Sequence, residues 1–242
     1  MSDCSPRTKS IGELFVRDDQ VNIAPSIKDI SIELVTGDSR RVVPQTLFCA
    51  LPGATVNGLA FVDDAIKAGA AAILVPEEAD LSQISVPVVR SRNIRRSFSW
   101  AAAAQYDYPS DHMQVVGITG TNGKTTTTFL LEGIAQAAGK RVGVIGTVSY
   151  RIAGESFPAP LTTPMADQFQ LLLARMRAAG VEIVFCEASS HALDQHRIDS
   201  VCFAAAAFTN LTQDHLDYHQ SFDEYYRAKR RLFFDLRDAE TQ

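Results

Sequence analysis

The stretch "GITGTNGKTTTTFLL", residues 117–131, decides how the chain is read. The apolar run QVVGIT at 114–119 reads as a buried strand, and the segment from Lys124 to about residue 138 reads as a helix that Gly139 closes. Between them lies a glycine turn ending in Gly-Lys-Thr. Strand, glycine turn, lysine and hydroxyl, then helix is the context of a phosphate-binding loop. The spelling departs from the usual G-x-x-x-x-G-K-[ST]: Ile118 stands where the first glycine belongs, and Gly120 lies three residues before Gly123. Gly120 and Gly123 can take positive φ and let the backbone approach a phosphate. Around Thr121, the amides of Asn122 through Thr126 would face an anion at the positive end of a helix. Lys124 would neutralise phosphate oxygens, and the Thr125 hydroxyl would ligate Mg²⁺. The competing reading is a glycine-rich strand-to-helix turn with a solvated lysine. The flanking strand and helix favour the phosphate loop.

Outward from this loop the chain alternates. Strands are predicted over 141–146, 181–187 and 203–209, and helices over 166–179 and about 222–236, with an irregular stretch carrying FPAPLTTP between. Such alternation implies a parallel sheet with helices on both faces. Ligands then bind beyond the carboxyl ends of the strands. The polar clusters after residues 119, 187 and 209 fall there. Upstream, residues 32–50 read as strand pieces around Gly37-Asp38 and Pro44, residues 58–78 as helix, Gly69 break and a buried strand at Ala72–Val75, 86–91 as a strand and 94–106 as a helix. DYPSDHM at 107–113 reads as a domain boundary, giving domains 1–111 and 112–242.

Composition narrows the class. In 242 residues, hydrophobic residues make up 46% and charged residues 21%, enough to bury a core in one large domain or two smaller ones. The net charge of −5, with no basic block, gives nucleic-acid binding little support. No apolar run is long enough to span a bilayer, and MSDCSPRTKS lacks the apolar region of a signal peptide. Cys4, Cys49, Cys186 and Cys202 show no metal spacing, and the last three sit in apolar runs that suit buried, reduced thiols. A cytoplasmic enzyme fits these features.

GTNGKTTTT resembles the ATP loop of the Mur ligases, the amide-forming enzymes that add amino acids to the peptidoglycan precursor. Further stretches carry the same resemblance: LTTP (161–164), EASSHALDQHR (187–197), TNLTQDHLDYH (209–219) and YYRAKRRLFF (225–234). GDSRRVVPQTLFCALPG with AIKAGAAAILV resembles the family's N-terminal domain. Within the family the chain is similar to the type that adds the third residue of the stem peptide. The resemblance implies a small N-terminal α/β domain that binds the UDP part of the substrate, followed by a truncated parallel-sheet ATPase domain. It implies ATP, two Mg²⁺ ions and a CO₂-derived lysine carbamate as cofactors. The implied partners are UDP-MurNAc-L-Ala-D-Glu and an amino acid, with meso-diaminopimelate and L-lysine left as alternatives.

The resemblance also implies roles. Glu187, ending a buried strand, would hold a Mg²⁺ with Thr125; a buried carboxylate is expensive without a cation. His215 would ligate a second Mg²⁺ together with Lys229 as its carbamate, while the plain reading of Lys229 is a snorkelling surface lysine. Lys124, Glu187, His215 and Lys229 form the expected catalytic set. Asn210 would contact ATP. Thr162, Thr163, Ser189, Gln195 and Arg197 would hold the muramyl dipeptide, the arginine through its bidentate fork. Ordinary alternatives are turn hydroxyls, a helix cap at Ser189 or Ser190 and a surface arginine. His191, His196 and His219 are left out of the metal site, and His112 is read as a linker residue. Ser39 and Arg40 are the uridine-diphosphate candidates. The loop GATVNG (53–58) departs from the family pattern in carrying Asn57 where Asp is commoner. Members of the family have three domains and about twice this length, so the 242-residue chain is expected to lack ligase activity alone. Two rivals remain: another amide ligase of the superfamily, of folylpolyglutamate or cyanophycin type, and a non-catalytic nucleotide-binding module.

Overall fold

The computed structural model describes residues 4–53, 56–80 and 84–234. The chain divides into two compact units, Ser5–Asp107 and the part from Tyr108 onward. In the first unit a four-stranded parallel sheet runs in sequence order: β1 (Leu34–Thr36), β2 (Thr46–Cys49), β3 (Ala70–Pro76) and β4 (Val88–Ser91). Parallel strands covered on both faces read as continuous apolar runs. β2 and β3 show this, with Leu47, Phe48, Ile73 and Leu74 all buried. Helix α1 (Val62–Lys67) ends before Gly69, which takes φ +102 to turn the chain into β3. Helix α2 (Ile94–Gln105) starts under an Asn93 cap and buries Ala101–Ala104.

The second unit holds the strand–turn–helix of the opening motif. β5 (Gln114–Thr119) leads into α3 (Lys124–Ala137), then β6 (Val142–Ile145), a hairpin of β7 (Ser149–Ile152) and β8 (Glu155–Pro158), and α4 (Ala166–Ala178). β9 (Ile183–Glu187), the short α5 (Ser190–Asp194), β10 (Phe203–Phe208), the short α6 (Leu216–His219) and α7 (Phe222–Phe234) follow. The sheet order is β8-β7-β6-β9-β5-β10. Side chains alternate between its faces. Ile118, Val144 and Phe185 pack beneath α3, while Val115, Val184 and Cys186 share a cluster with Phe169, Leu173 and Met176 of α4 and Leu232 of α7. Each fully buried side chain of this size contributes about 1.5–3 kcal/mol.

Three expectations are corrected. The sheet is parallel only across β6, β9, β5 and β10; β7 and β8 add an antiparallel edge. That hairpin occupies the stretch read as irregular, turning through Ala153 and Gly154 at φ +48 and +96. Cys202 is only partly buried, whereas Cys49 and Cys186 are fully so. The predicted end of the last helix, residues 235–236, lies outside the described residues. Among the described residues no helix is long and apolar enough to cross a membrane.

Candidate nucleotide and substrate site

The chain switches sides of the sheet at β5: β9 lies on one flank and β10 on the other. The crevices outside the carboxyl ends of these strands are where such sheets bind ligands. Register brings the loops together there, since Glu187 pairs with Ile118 and Phe208 with Thr119.

The phosphate loop is preformed. Gly120 has φ +138, and a Cβ on it would stand 2.0 Å from Thr209 Oγ1, so only glycine fits. Gly123 takes φ +84 and opens α3 without a side-chain cap, leaving the first helix amides for a ligand. Asn210, an exposed residue, braces the loop: its Oδ1 accepts from the Asn122 amide at 3.1 Å and its Nδ2 donates to the Asn122 carbonyl at 3.0 Å. Thr121 is fixed similarly, donating to the Thr212 carbonyl and accepting from the Tyr225 hydroxyl at 3.0 Å. Lys124 Nζ folds over the loop onto the carbonyls of Gly120 and Thr121, at 2.8 and 2.9 Å. Burial holds its ammonium below the usual lysine value, with Glu187 and Asp214 pulling the other way. Thr126 is exposed in the first helical turn.

Glu187 is 1% exposed at the end of β9. Its Oε2 accepts from Thr125 Oγ1 at 3.0 Å and Thr147 Oγ1 at 2.9 Å, and its Oε1 from the Thr147 amide at 3.2 Å. These donors, two hydroxyls and one amide, are neutral. A buried carboxylate beside a phosphate loop, held by hydroxyls and an amide, fits a bound divalent cation.

Lys229 is also 1% exposed, so it does not snorkel. Tyr225, Ala228, Lys229 and Leu232 form the buried stripe of α7 at helical spacing. Lys229 Nζ donates to the Gly120 carbonyl at 2.9 Å and lies 4.5 Å from the centre of the Tyr225 ring. Burial first and Lys124 second push its pKa down to about 7, against Asp214. His215 sits in the left-handed region at φ +52, with a half-exposed ring 5.0 Å from that of His191. His191 contacts His219 and Tyr218 as well, so the histidines set aside in the sequence gather beside His215. Burial lowers the pKa of both His191 and His219. His196 instead joins Arg231 on Asp199. Among the described residues no group of three His, Cys, Asp or Glu side chains could hold a metal.

The substrate candidates form a braced arc. Thr163 Oγ1 donates to the Glu187 carbonyl at 2.6 Å and accepts from the Ser189 amide at 3.1 Å, and Ser189 caps α5 through the Ala192 amide. Arg197 grips the Thr163 carbonyl at 2.8 Å and Gln195 Oε1 at 2.7 Å, and Gln195 donates to the Tyr218 hydroxyl. Thr162 Oγ1 lies 3.0 Å from Thr147 Oγ1. Thr147, Thr209, Thr212 and Tyr225 were not among the sequence candidates. The polar-cluster rule at strand ends, extended to the end of β6, would have found Thr147. In the other unit, Asp38 caps the turn Ser39–Arg41 and pairs with Arg40 through both guanidinium arms, at 2.8 and 2.7 Å. Asn57 caps its own turn through the Leu59 amide, a task Asp performs equally well. Residues 54–55 of that loop lie outside the described residues.

The fold and loop define the class: an α/β protein with a phosphate loop at the switch point of a mostly parallel sheet. The Mur ligase middle domain matches residues 118–242, and the Mur ligase family, catalytic domain, matches residues 31–109. The chain belongs to the Mur ligase family. It is 47% identical over 203 residues to a UDP-N-acetylmuramoyl-L-alanyl-D-glutamate--2,6-diaminopimelate ligase of Lawsonia intracellularis, covering 84% of this chain and 42% of that protein. A ligase of the same name from Haemophilus influenzae (strain PittEE) is 41% identical over 219 residues, 88% of this chain and 45% of its own length. A solved structure with that name superposes with a TM-score of 0.77 at 27% identity, covering 94% of this chain and 45% of that one. The chain thus spans less than half the length of these relatives.

Proposed function

We propose that this chain supplies the ATP–magnesium site and the muramyl-dipeptide site of a ligase that joins 2,6-diaminopimelate to UDP-MurNAc-L-Ala-D-Glu. The observation that carries the reading is the convergence of Thr125, Glu187 and Lys229 on one glycine loop, two of them buried ionisable groups that nothing in a structural core requires. The relatives' shared name supplies the substrates.

The substrate's terminal carboxylate attacks the γ-phosphate of ATP, ADP departs, and an acyl phosphate forms. The amine of diaminopimelate then attacks the acyl carbon and expels phosphate, forming the amide and losing a proton. Both steps place negative charge on phosphoryl oxygens, so electrostatic stabilisation is the main requirement. The loop amides and Lys124 meet that charge. Thr125 and Glu187 would hold one magnesium ion, whose chemistry is to neutralise phosphate oxygens. His215 and Lys229 would hold the second. Lys229 is suited to this: with a pKa near 7 its amine is substantially neutral, and a neutral amine adds to CO₂, losing a proton to give an anionic carbamate. That carbamate would add an anionic oxygen ligand beside His215 and Asp214. Thr162, Ser189 and Arg197 would orient the dipeptide, and Ser39 and Arg40 the diphosphate. We assign the domains as 1–111 and 112–242, and the protein to the cytoplasm.

Titration calorimetry with UDP-MurNAc-L-Ala-D-Glu and with ATP–Mg²⁺ tests this. Saturable binding of both is expected; a folded chain that binds neither would refute the reading, and binding of a folate in place of the dipeptide would redirect it.

A further inference from the structure

Glu187 is gripped from a side that no sequence motif covers. Thr147 follows β6, and it gives the carboxylate both its amide and its hydroxyl, at 3.2 and 2.9 Å. The preceding Gly146 packs so close that a Cβ there would stand 2.4 Å from Glu187 Oε1. Proton counting fixes the direction of these bonds. An ionised carboxylate only accepts, and a hydroxyl has a single proton to give. The Thr147 proton therefore goes to Glu187, and in the 3.0 Å contact between Thr147 and Thr162 the donor is Thr162. Thr125 gives its proton to the same Oε2. A carboxylate offers about four lone-pair sites, so three are filled and one on Oε1 is left. Among the described residues Thr147 alone is bonded to both oxygens, and so it sets where that site points. Thr147 and Thr162 flank the β7–β8 hairpin, so one hairpin joins the segment read as substrate-binding to the residues read as metal-binding.

We propose that Thr147 is a positioning residue that fixes the orientation of Glu187 toward a divalent cation and ties it to Thr162. This rests on the nucleotide–magnesium reading above. Without the Thr147 hydroxyl the carboxylate keeps its bonds to Thr125 and to the backbone amide of residue 147 but loses the side-chain donor that aims it. Nucleotide binding that does not use the cation is then unaffected, while the gain from the cation falls.

The test is calorimetric titration of ATP into the chain, once with Mg²⁺ and once with EDTA; the ratio of the two Kd values is the magnesium increment. Thr147→Val, isosteric but without the hydroxyl, is expected to cut the increment about tenfold, as for loss of one hydrogen bond to a charged group. Its Kd in EDTA stays at the parent value. Thr147→Ser restores the donor and keeps the increment within about twofold of the parent. A purely structural role would instead lower the melting temperature and raise both Kd values together, leaving their ratio unchanged. A folded Thr147→Val chain with the parent increment overturns the proposal. If that variant does not fold, Gly146→Ala displaces the same carboxylate from the backbone side, and an unchanged increment there overturns it equally. A parent chain that binds ATP with no magnesium increment overturns the metal reading itself, and this inference with it, a result visible before any variant is made.

Discussion

The two regions read as ligand contacts are built on opposite principles. In the second unit, Glu187 and Lys229 are each 1% exposed, and their neighbours are locked by hydrogen bonds between distant parts of the sequence, such as Thr125 to Glu187 across 62 residues and Tyr225 to Thr121 across 104. In the first unit, Arg40 has an 87% exposed side chain, and its bonds reach only two residues back, to Asp38. A site made of buried charges is rigid before its ligand arrives and loses a great deal when one member is removed. A site made of an exposed arginine on a local turn is adaptable, and each residue carries little. The difference follows from burial: an interaction screened by water is worth a fraction of the same interaction in a dry crevice.

Mutations can break this comparison. The largest effect is expected for Gly120→Ala. The left-handed φ and the 2.0 Å approach to Thr209 leave no place for a methyl group, so ATP binding should fall by at least about a hundredfold, with ~2 kcal/mol of stability lost by urea unfolding. Parent-like affinity would show that the loop is not preformed. Next comes Lys124→Ala, expected to weaken ATP–Mg²⁺ binding about thirtyfold through loss of charge-assisted bonds, with little change in melting temperature.

A third experiment concerns the buried charge itself. The unfolded lysine keeps its proton up to about pH 10.4, whereas folded Lys229 gives it up near 7. Between these values the unfolded state binds more protons, so stability rises with pH across that window. In CO₂-depleted buffer, the parent chain should gain stability from pH 7 to 10 relative to Lys229→Met, which lacks the titrating group; parallel curves would mean that Lys229 is solvated. The smallest effect is expected for Arg40→Ala. Its melting temperature should stay within about 2 °C of the parent, and affinity for a uridine diphosphate ligand should drop no more than about fivefold. A loss as large as that of Lys124→Ala would erase the contrast between the regions.

Much of this was legible in the residues. The parallel core strands announced themselves as short apolar runs, and the glycine loop placed β5 and α3 within a residue or two. The β7–β8 hairpin did not, because its outer strand is largely exposed and its Ala153-Gly154 turn lacks the Asn-Gly or Asp-Gly signature. Within the hairpin, Tyr150 and Ile152 do alternate inward, a two-residue signal too short to stand alone. Thr147 was missed with it. The burial of Lys229 was half legible: Tyr225, Ala228 and Leu232 flank it at helical spacing, but a lysine in such a stripe reads equally well as one that snorkels.

The sequence by itself determined the alternating α/β order, the glycine turn between β5 and α3 and the family, because those depend on periodicity, on motif spelling and on glycines whose backbone roles no other residue can fill. Tertiary structure alone decided which hydroxyls reach Glu187, that Asn210 braces the loop, and that Lys229 lies in the dark of the core with a lowered pKa. Those outcomes depend on which strand ends are neighbours and how far water is excluded, and no local pattern of residues encodes either.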